Sequence, residues 1–259
     1  MGVCIFWDNS NIFIPARYLA NKREGWSAGR DVRIHFDNMF SLARAGREIE
    51  SAFCVGSVPP ELEAVWARLE RVGVQVELFE RGEGSGCEQG IDECLQVHML
   101  RALADIHPPA VAVLLTGDGA GYETGAGFHA DLERLARAGW GVEVISWNAA
   151  CNRRLRAWAE SVGVYVPLDD YYLSVTFLEG ARWAQPVSLT RRGVAVPTGV
   201  GEASASGRRS RRAPPSERPP GAVVLPGPTI APAKGANVGS TSHSIQTQHP
   251  TPKRATPCS

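Results

Sequence analysis

Between residues 3 and 166, short apolar runs alternate with segments of helical periodicity, and this alternation restricts the fold more than any other property of the chain. The runs of strand length are 3–7 (VCIFW), 49–56 (IESAFCVG), 74–79 (VQVELF), 111–116 (VAVLLT), 142–146 (VEVIS) and a short one at 164–166. Between them, 37–45, 60–72, 91–105, 128–138 and 151–161 carry apolar residues three and four apart, as in Leu132, Leu135 and Ala136. Strands separated by helices are joined by crossovers, and crossovers produce parallel pairs with helices over both faces. The expected fold is α/β: a mostly parallel sheet flanked by helices on both faces, a three-layer sandwich.

The pattern fades toward the C-terminus. The reading is a domain over 1–180, an extension of it over 181–198, and a disordered tail over 199–259 rich in Pro, Gly and Ser, a composition without enough apolar surface to fold. The net charge of zero conceals an asymmetry. From Gly201 onward there are eight Lys/Arg against two Glu, a net +6, which leaves −6 on the rest. Arg208, Arg209, Arg211 and Arg212 form a block that is either simply solvated or holds phosphates without sequence preference.

In a parallel sheet every carboxyl end lies on one edge, where ligands bind in open α/β folds. Asp8 ends the first run, in WDNSN, and Asp118 follows the 111–116 run, in LLTGDG. Asp92, in GIDECL, falls in the first turn of the helix that follows 74–79 and its Gly-rich loop. Each acid has a plainer reading, as a turn former or as a partner of a helix dipole. Taken together they put three carboxylates on an edge already expected to bind ligands, where a divalent cation would relieve their mutual repulsion.

Other chemistries fit less well. The Gly-rich stretches 82–90 and 117–127 invite a phosphate cradle, and Gly125-Ala126-Gly127-Phe128-His129-Ala130 satisfies G-x-G-x-x-A. That match follows its strand too late for a dinucleotide turn, and no acid ends the next strand. The P-loop pattern with its Lys is absent, and a phosphohydrolase acting on small esters lacks a nucleophile motif. Cys87 and Cys94 lie seven apart with no partnering His spacing, which speaks against zinc. Asp8 interrupts the first apolar run, so no signal peptide is expected, and no run is long enough to span a bilayer. A cytoplasmic, reducing environment fits these cysteines. Asp169-Asp170-Tyr171-Tyr172 reads as a structural terminus rather than a site.

Asp8-Asn9-Ser10-Asn11 at a strand end, Gly90-Ile91-Asp92 opening a helix, and Thr116-Gly117-Asp118-Gly119 before a helix and VEVISW occur in this order. In these motifs residues 1 to about 180 resemble the NYN domains, a branch of the PIN-like nucleases. The resemblance implies a ribonuclease dependent on Mg²⁺ or Mn²⁺, with Asp8, Asp92 and Asp118 as catalytic metal ligands. Asn9, Ser10 and Asn11 would contact the substrate. Many members carry a second Asp two residues after the position of Asp118; here Ala120 stands there, and Glu123 is the carboxylate that the enlarged Gly-rich segment offers to the metal. The implied partner is RNA, in single-stranded form, with a homodimer as a further expectation and no membrane. The alternative is a catalytically weak or inactive NYN module that binds RNA or a protein partner.

Overall fold

A computed structural model describes residues 2–57, 63–71, 73–79, 91–108 and 110–198. The elements run β1 (Gly2–Asp8), α1 (Asn9–Glu24), α2 (Ala28–Asp31), β2 (Val32–Ile34), α3 (Phe36–Arg44), β3 (Glu48–Ser57), α4 (Glu63–Arg71), β4 (Gln75–Phe79), α5 (Ile91–Asp105) and β5 (Ala110–Leu115). They continue with α6 (Gly127–Arg137), β6 (Gly141–Ser146), α7 (Arg153–Val162), β7 (Val164–Pro167), α8 (Tyr172–Val175) and β8 (Thr176–Leu178). Short 3₁₀ turns occupy Tyr122–Thr124 and Leu168–Tyr171.

Six strands form one sheet in the order β4-β3-β1-β5-β6-β7, and every pair in it is parallel. The chain starts in the middle, moves outward to β3 and β4, then returns to the other side of β1 for β5 and continues to β6 and β7. The reversal between β1 and β5 is the place where successive crossovers diverge to opposite faces and open a crevice at the carboxyl ends.

Alternation along β1 divides the core in two. Val3, Ile5 and Trp7 join one apolar cluster with Ile12, Ala16 and Ala20 of α1, Met39 and Leu42 of α3, and Trp66 and Leu69 of α4. Cys4 and Phe6 join the other with Leu95 and Met99 of α5, Phe128, Leu132 and Leu135 of α6, and Leu155 and Ala159 of α7. Helices therefore cover both faces, as the alternation requires.

Two features depart from the sequence expectation. The polar stretch after β1, to which the periodicity assigns no helix, opens the sixteen-residue helix α1, capped by Asp8. Its buried apolar stripe is only Ile12, Ala16 and Ala20, while Ile14 and Tyr18 are exposed and Pro15 sits inside. So narrow a stripe leaves almost no amphipathic signature. The second feature is a small antiparallel sheet of β2 and β8, pairing Val32 with Leu178 and Ile34 with Thr176.

Beyond β8, residues 182–198 contribute to the same body. Glu143 of β6 has no exposed surface, and its carboxylate accepts from Arg47 (2.7 Å), from Arg192, and from the backbone N–H of Ala195 (2.8 Å). The disordered tail expected over 199–259 and the Gly-rich loop 82–90 with Cys87 lie outside the described residues.

Candidate metal centre at the carboxyl edge

Asp8 is both the last residue of β1 and the N-cap of α1. Its Oδ1 accepts from the backbone N–H of Asn11 at 3.0 Å, which satisfies one of the amide donors that a helix start leaves open. Its Oδ2 accepts from Thr116 Oγ1 at 3.2 Å, across the β1/β5 reversal. The residue is 2 % exposed. Burial, which penalises the charged form, pushes its carboxyl up to about 6; the charge of Asp92 adds to the rise, and the hydrogen bonds from Asn11 and Thr116 oppose it.

The Thr116 hydroxyl also accepts from the backbone N–H of Asp118 at 3.2 Å, so one side chain ties Asp8 to the start of the Gly-rich segment. The half-buried Asp118 accepts through Oδ1 from the N–H of Ala120 at 3.1 Å, forming a tight turn. Gly117 and Gly119 let this turn sit against the start of α7. A Cβ at 117 would lie 2.6 Å from the Ala150 carbonyl oxygen, and one at 119 would collide with Asn152. Asn152 N–H donates to the Gly117 carbonyl at 2.8 Å, and its side chain caps Arg154 and Leu155. The exposed Arg153 and Arg154 thus stand at a helix start joined to the Asp118 turn.

Asp92 is half-buried in the first turn of α5, close enough for its charge to act on Asp8. Asn9 is buried, its side chain facing Gly56 at the end of β3, where a Cβ on residue 56 would approach Asn9 Cβ to 3.1 Å. The Asn9 Oδ1 is buried and accepts no hydrogen bond among the described residues. Ser10 and Asn11 are half-buried in the first turn of α1. Glu123 lies apart in its contacts: its carboxylate is 82 % exposed and pairs with Arg154, whose guanidinium also covers the Tyr122 ring. Asp169 accepts from the N–H of Asn148 at 2.7 Å, and Tyr171 and Tyr172 are buried.

The three acids line one edge without converging on a single point. Among the described residues, the set of three ligating side chains whose donor atoms all lie within 4.8 Å of one another is instead Glu77, Cys94 and His98. The donors that Asp8, Asp92, Asp118 and Asn9 offer are all oxygens: two carboxylates interacting through their charges, a third joined through Thr116, and among the described residues an unsatisfied buried amide oxygen on Asn9; the nearby Cys54 thiol is fully buried, and burial and the Asp8 charge keep it protonated. Such a set fits a hard divalent cation of the Mg²⁺ or Mn²⁺ class, which needs only one or two direct carboxylates and keeps several waters.

Two groups escaped the sequence reading. Thr116 stood inside a quoted motif, but its role depends on β5 pairing directly with β1. Cys94 and His98 are four apart in α5, which corrects the expectation that no partnering His spacing accompanies Cys94.

A family model described as the NYN domain matches residues 2–162. Among solved structures, a protein of unknown function from Vibrio parahaemolyticus is similar at 18 % identity, over 65 % of this chain and 93 % of that one, with a TM-score of 0.46. No curated protein matches the chain.

Proposed function

The chain belongs to the NYN domain family, and from that premise we propose that it is a metal-dependent endoribonuclease, hydrolysing phosphodiester bonds of single-stranded RNA at the edge where β1 meets β5. The observation that carries this reading is the buried Asp8 carboxylate, held by Thr116 and Asn11 beside the negative charge of Asp92. A carboxylate kept dry and next to another acid is costly to the fold, and such costs gather where a charge is needed for function.

In this reading Asp8, Asp92 and Asp118 would hold Mg²⁺ or Mn²⁺, one or two of them directly and the rest through the ion's waters, with the Asn9 oxygen as a neutral donor beside them. Such an ion, when bound, would supply activation of a water and charge stabilisation for phosphodiester hydrolysis. The chain's own groups do the rest. Thr116 and the Asn11 N–H fix both oxygens of Asp8, so the carboxylate does not rotate away from the crevice. Ser10 and the side chain of Asn11, in the first turn of α1, face the phosphate as neutral donors. Arg153 and Arg154, beside the Asp118 turn, attract the flanking phosphates of a polyanion without reading its bases. Glu123, engaged by Arg154, belongs to that outer contact in this scheme rather than to the metal.

A second reading, a catalytically weak module that binds RNA, is favoured by one observation. The Asp118 turn closes on the N–H of Ala120, where a further carboxylate would otherwise stand. The deciding experiment incubates the purified full chain with labelled single-stranded RNA and Mn²⁺ or Mg²⁺, with and without chelator, beside Asp8→Asn at matched RNA occupancy. Chelator-sensitive cleavage that falls by several orders of magnitude in Asp8→Asn supports the enzyme. Equal cleavage by both proteins points to a contaminant, and RNA binding without cleavage across several RNAs and both metals selects the second reading.

A further inference from the structure

We propose that Glu77, Cys94 and His98 form a separate metal site, of the Zn²⁺ class, that clamps α5 to the edge strand β4. This inference is independent of the ribonuclease reading. Cys94 and His98 are four residues apart in α5, so both project from one face of the helix. Glu77 meets them from β4, where it pairs with Val55 at the outer side of the sheet. One carboxylate oxygen accepts from the Cys94 thiol at 2.7 Å, and the other lies 2.7 Å from His98 Nε2. All three ligand atoms lie within 4.8 Å of one another.

The donor types select the ion. A sulfur, an imidazole nitrogen and a carboxylate oxygen suit Zn²⁺, which takes all three at roughly 2.0–2.3 Å, and they suit Mg²⁺ poorly, since Mg²⁺ prefers oxygen alone. The imidazole is already oriented. His98 is 8 % exposed, and its ring stacks on Phe53 of β3 with centroids 3.9 Å apart and planes at 19°. Nε2 therefore points at Glu77 before any ion arrives. Metal uptake displaces the Cys94 S–H proton, and the His98 proton that faces Glu77 from Nε2 in the metal-free clasp is exchanged through solvent for one on Nδ1, so neutral His98 ligates through Nε2 and one proton is released overall. Thiolate and carboxylate together neutralise the two positive charges.

The consequence follows from where α5 begins. Asp92 is two residues before Cys94 in the same helix, so an ion joining Cys94 and His98 to β4 steadies the turn that presents Asp92 to Asp8. Without an ion the three groups are a hydrogen-bonded clasp between α5 and β4, and that is the competing description.

The test titrates metal-free full-length protein with Zn²⁺ against a competing chelator, and with Co²⁺ as an optical probe. We expect one equivalent of Zn²⁺ and a thiolate-to-cobalt charge-transfer band. Cys94→Ser should abolish the band, and both Cys94→Ser and His98→Gln should weaken Zn²⁺ by at least about 100-fold, the upper end of what even an outer hydrogen-bond partner contributes. Asp8→Asn and Asp118→Asn should leave the titration unchanged, which separates this site from the proposed catalytic one. Absence of the cobalt band in the wild type overturns the proposal whether or not the variants fold. Retention of the full equivalent in Cys94→Ser overturns it equally.

Discussion

Thr116 donates to Asp8 at 3.2 Å although 108 residues separate them, and the same hydroxyl receives the N–H of Asp118. The last residue of β1 and the first residues after β5 are therefore wired through one side chain at the reversal of the sheet.

Thr116→Val keeps the shape and removes the hydroxyl. It leaves a buried carboxylate short of one hydrogen bond, so unfolding free energy in urea should fall by about 1.5–3 kcal/mol. Any chelator-sensitive cleavage should fall with it, and Thr116→Ser should restore both. A Val variant as stable and active as wild type would mean that the bridge holds nothing in place.

Asp8 makes stability depend on pH in a stated direction. Its carboxyl rises from the usual 3.8 to about 6, so between these values the folded chain binds the proton that the unfolded chain has lost. Stability of the metal-free protein should decline as pH rises through that window and level off above it. Asp8→Asn lacks this loss, so at about pH 8 it should be more stable than wild type by on the order of 2–3 kcal/mol, with the difference shrinking below about pH 4. Parallel stability curves for the two proteins across that range would refute the assignment.

Added Mn²⁺ or Mg²⁺ should raise the melting temperature at about pH 8, because an ion that binds only the folded state stabilises it by about 2.7 kcal/mol at a hundred times its dissociation constant. The rise should shrink toward pH 5, where Asp8 holds a proton, and should be reduced in Asp118→Asn. No rise at roughly millimolar Mn²⁺ would remove the support for a cation at this edge.

The segment beyond β8 carries partners for Glu143, and removing one partner of a fully buried ion pair is costly. Arg192→Ala should destabilise by about 1.5–3 kcal/mol, since Arg47 and the Ala195 N–H still hold Glu143. A chain ending at residue 198 should unfold like the full chain, whereas one ending at 180 loses Arg192 and the Ala195 amide and should be markedly weaker. If the basic block at 208–212 contacts phosphates, the chain ending at 198 should also bind RNA with a flatter salt dependence. Equal stability of the two shortened chains would place the domain boundary before 181.

The features legible in the sequence were those that repeat locally. Alternating periodicity along 3–166 carries the six strands of the parallel sheet, most helices and the two covered faces, because each depends on residues a few positions apart. The shared edge of Asp8, Asp92 and Asp118 followed from direction alone, since all strands of a parallel sheet end on the same side. α1 was not legible, because its narrow stripe of Ile12, Ala16 and Ala20 is interrupted by Pro15 and becomes helical by packing on the sheet under an Asp8 cap.

Everything that required knowing which strands are neighbours belonged to the tertiary structure. Composition does not say that β5 returns to lie beside β1, and only that return brings Thr116 to Asp8. Local periodicity likewise does not place Glu143 of β6 against Arg192 of the segment beyond β8, nor Glu77 of β4 against Cys94 and His98 of α5. Local periodicity fixes what a segment becomes, since its energetics are decided within a few residues. Strand order is decided by how whole faces share burial, and the sites of this protein arise where that sharing brings distant segments together.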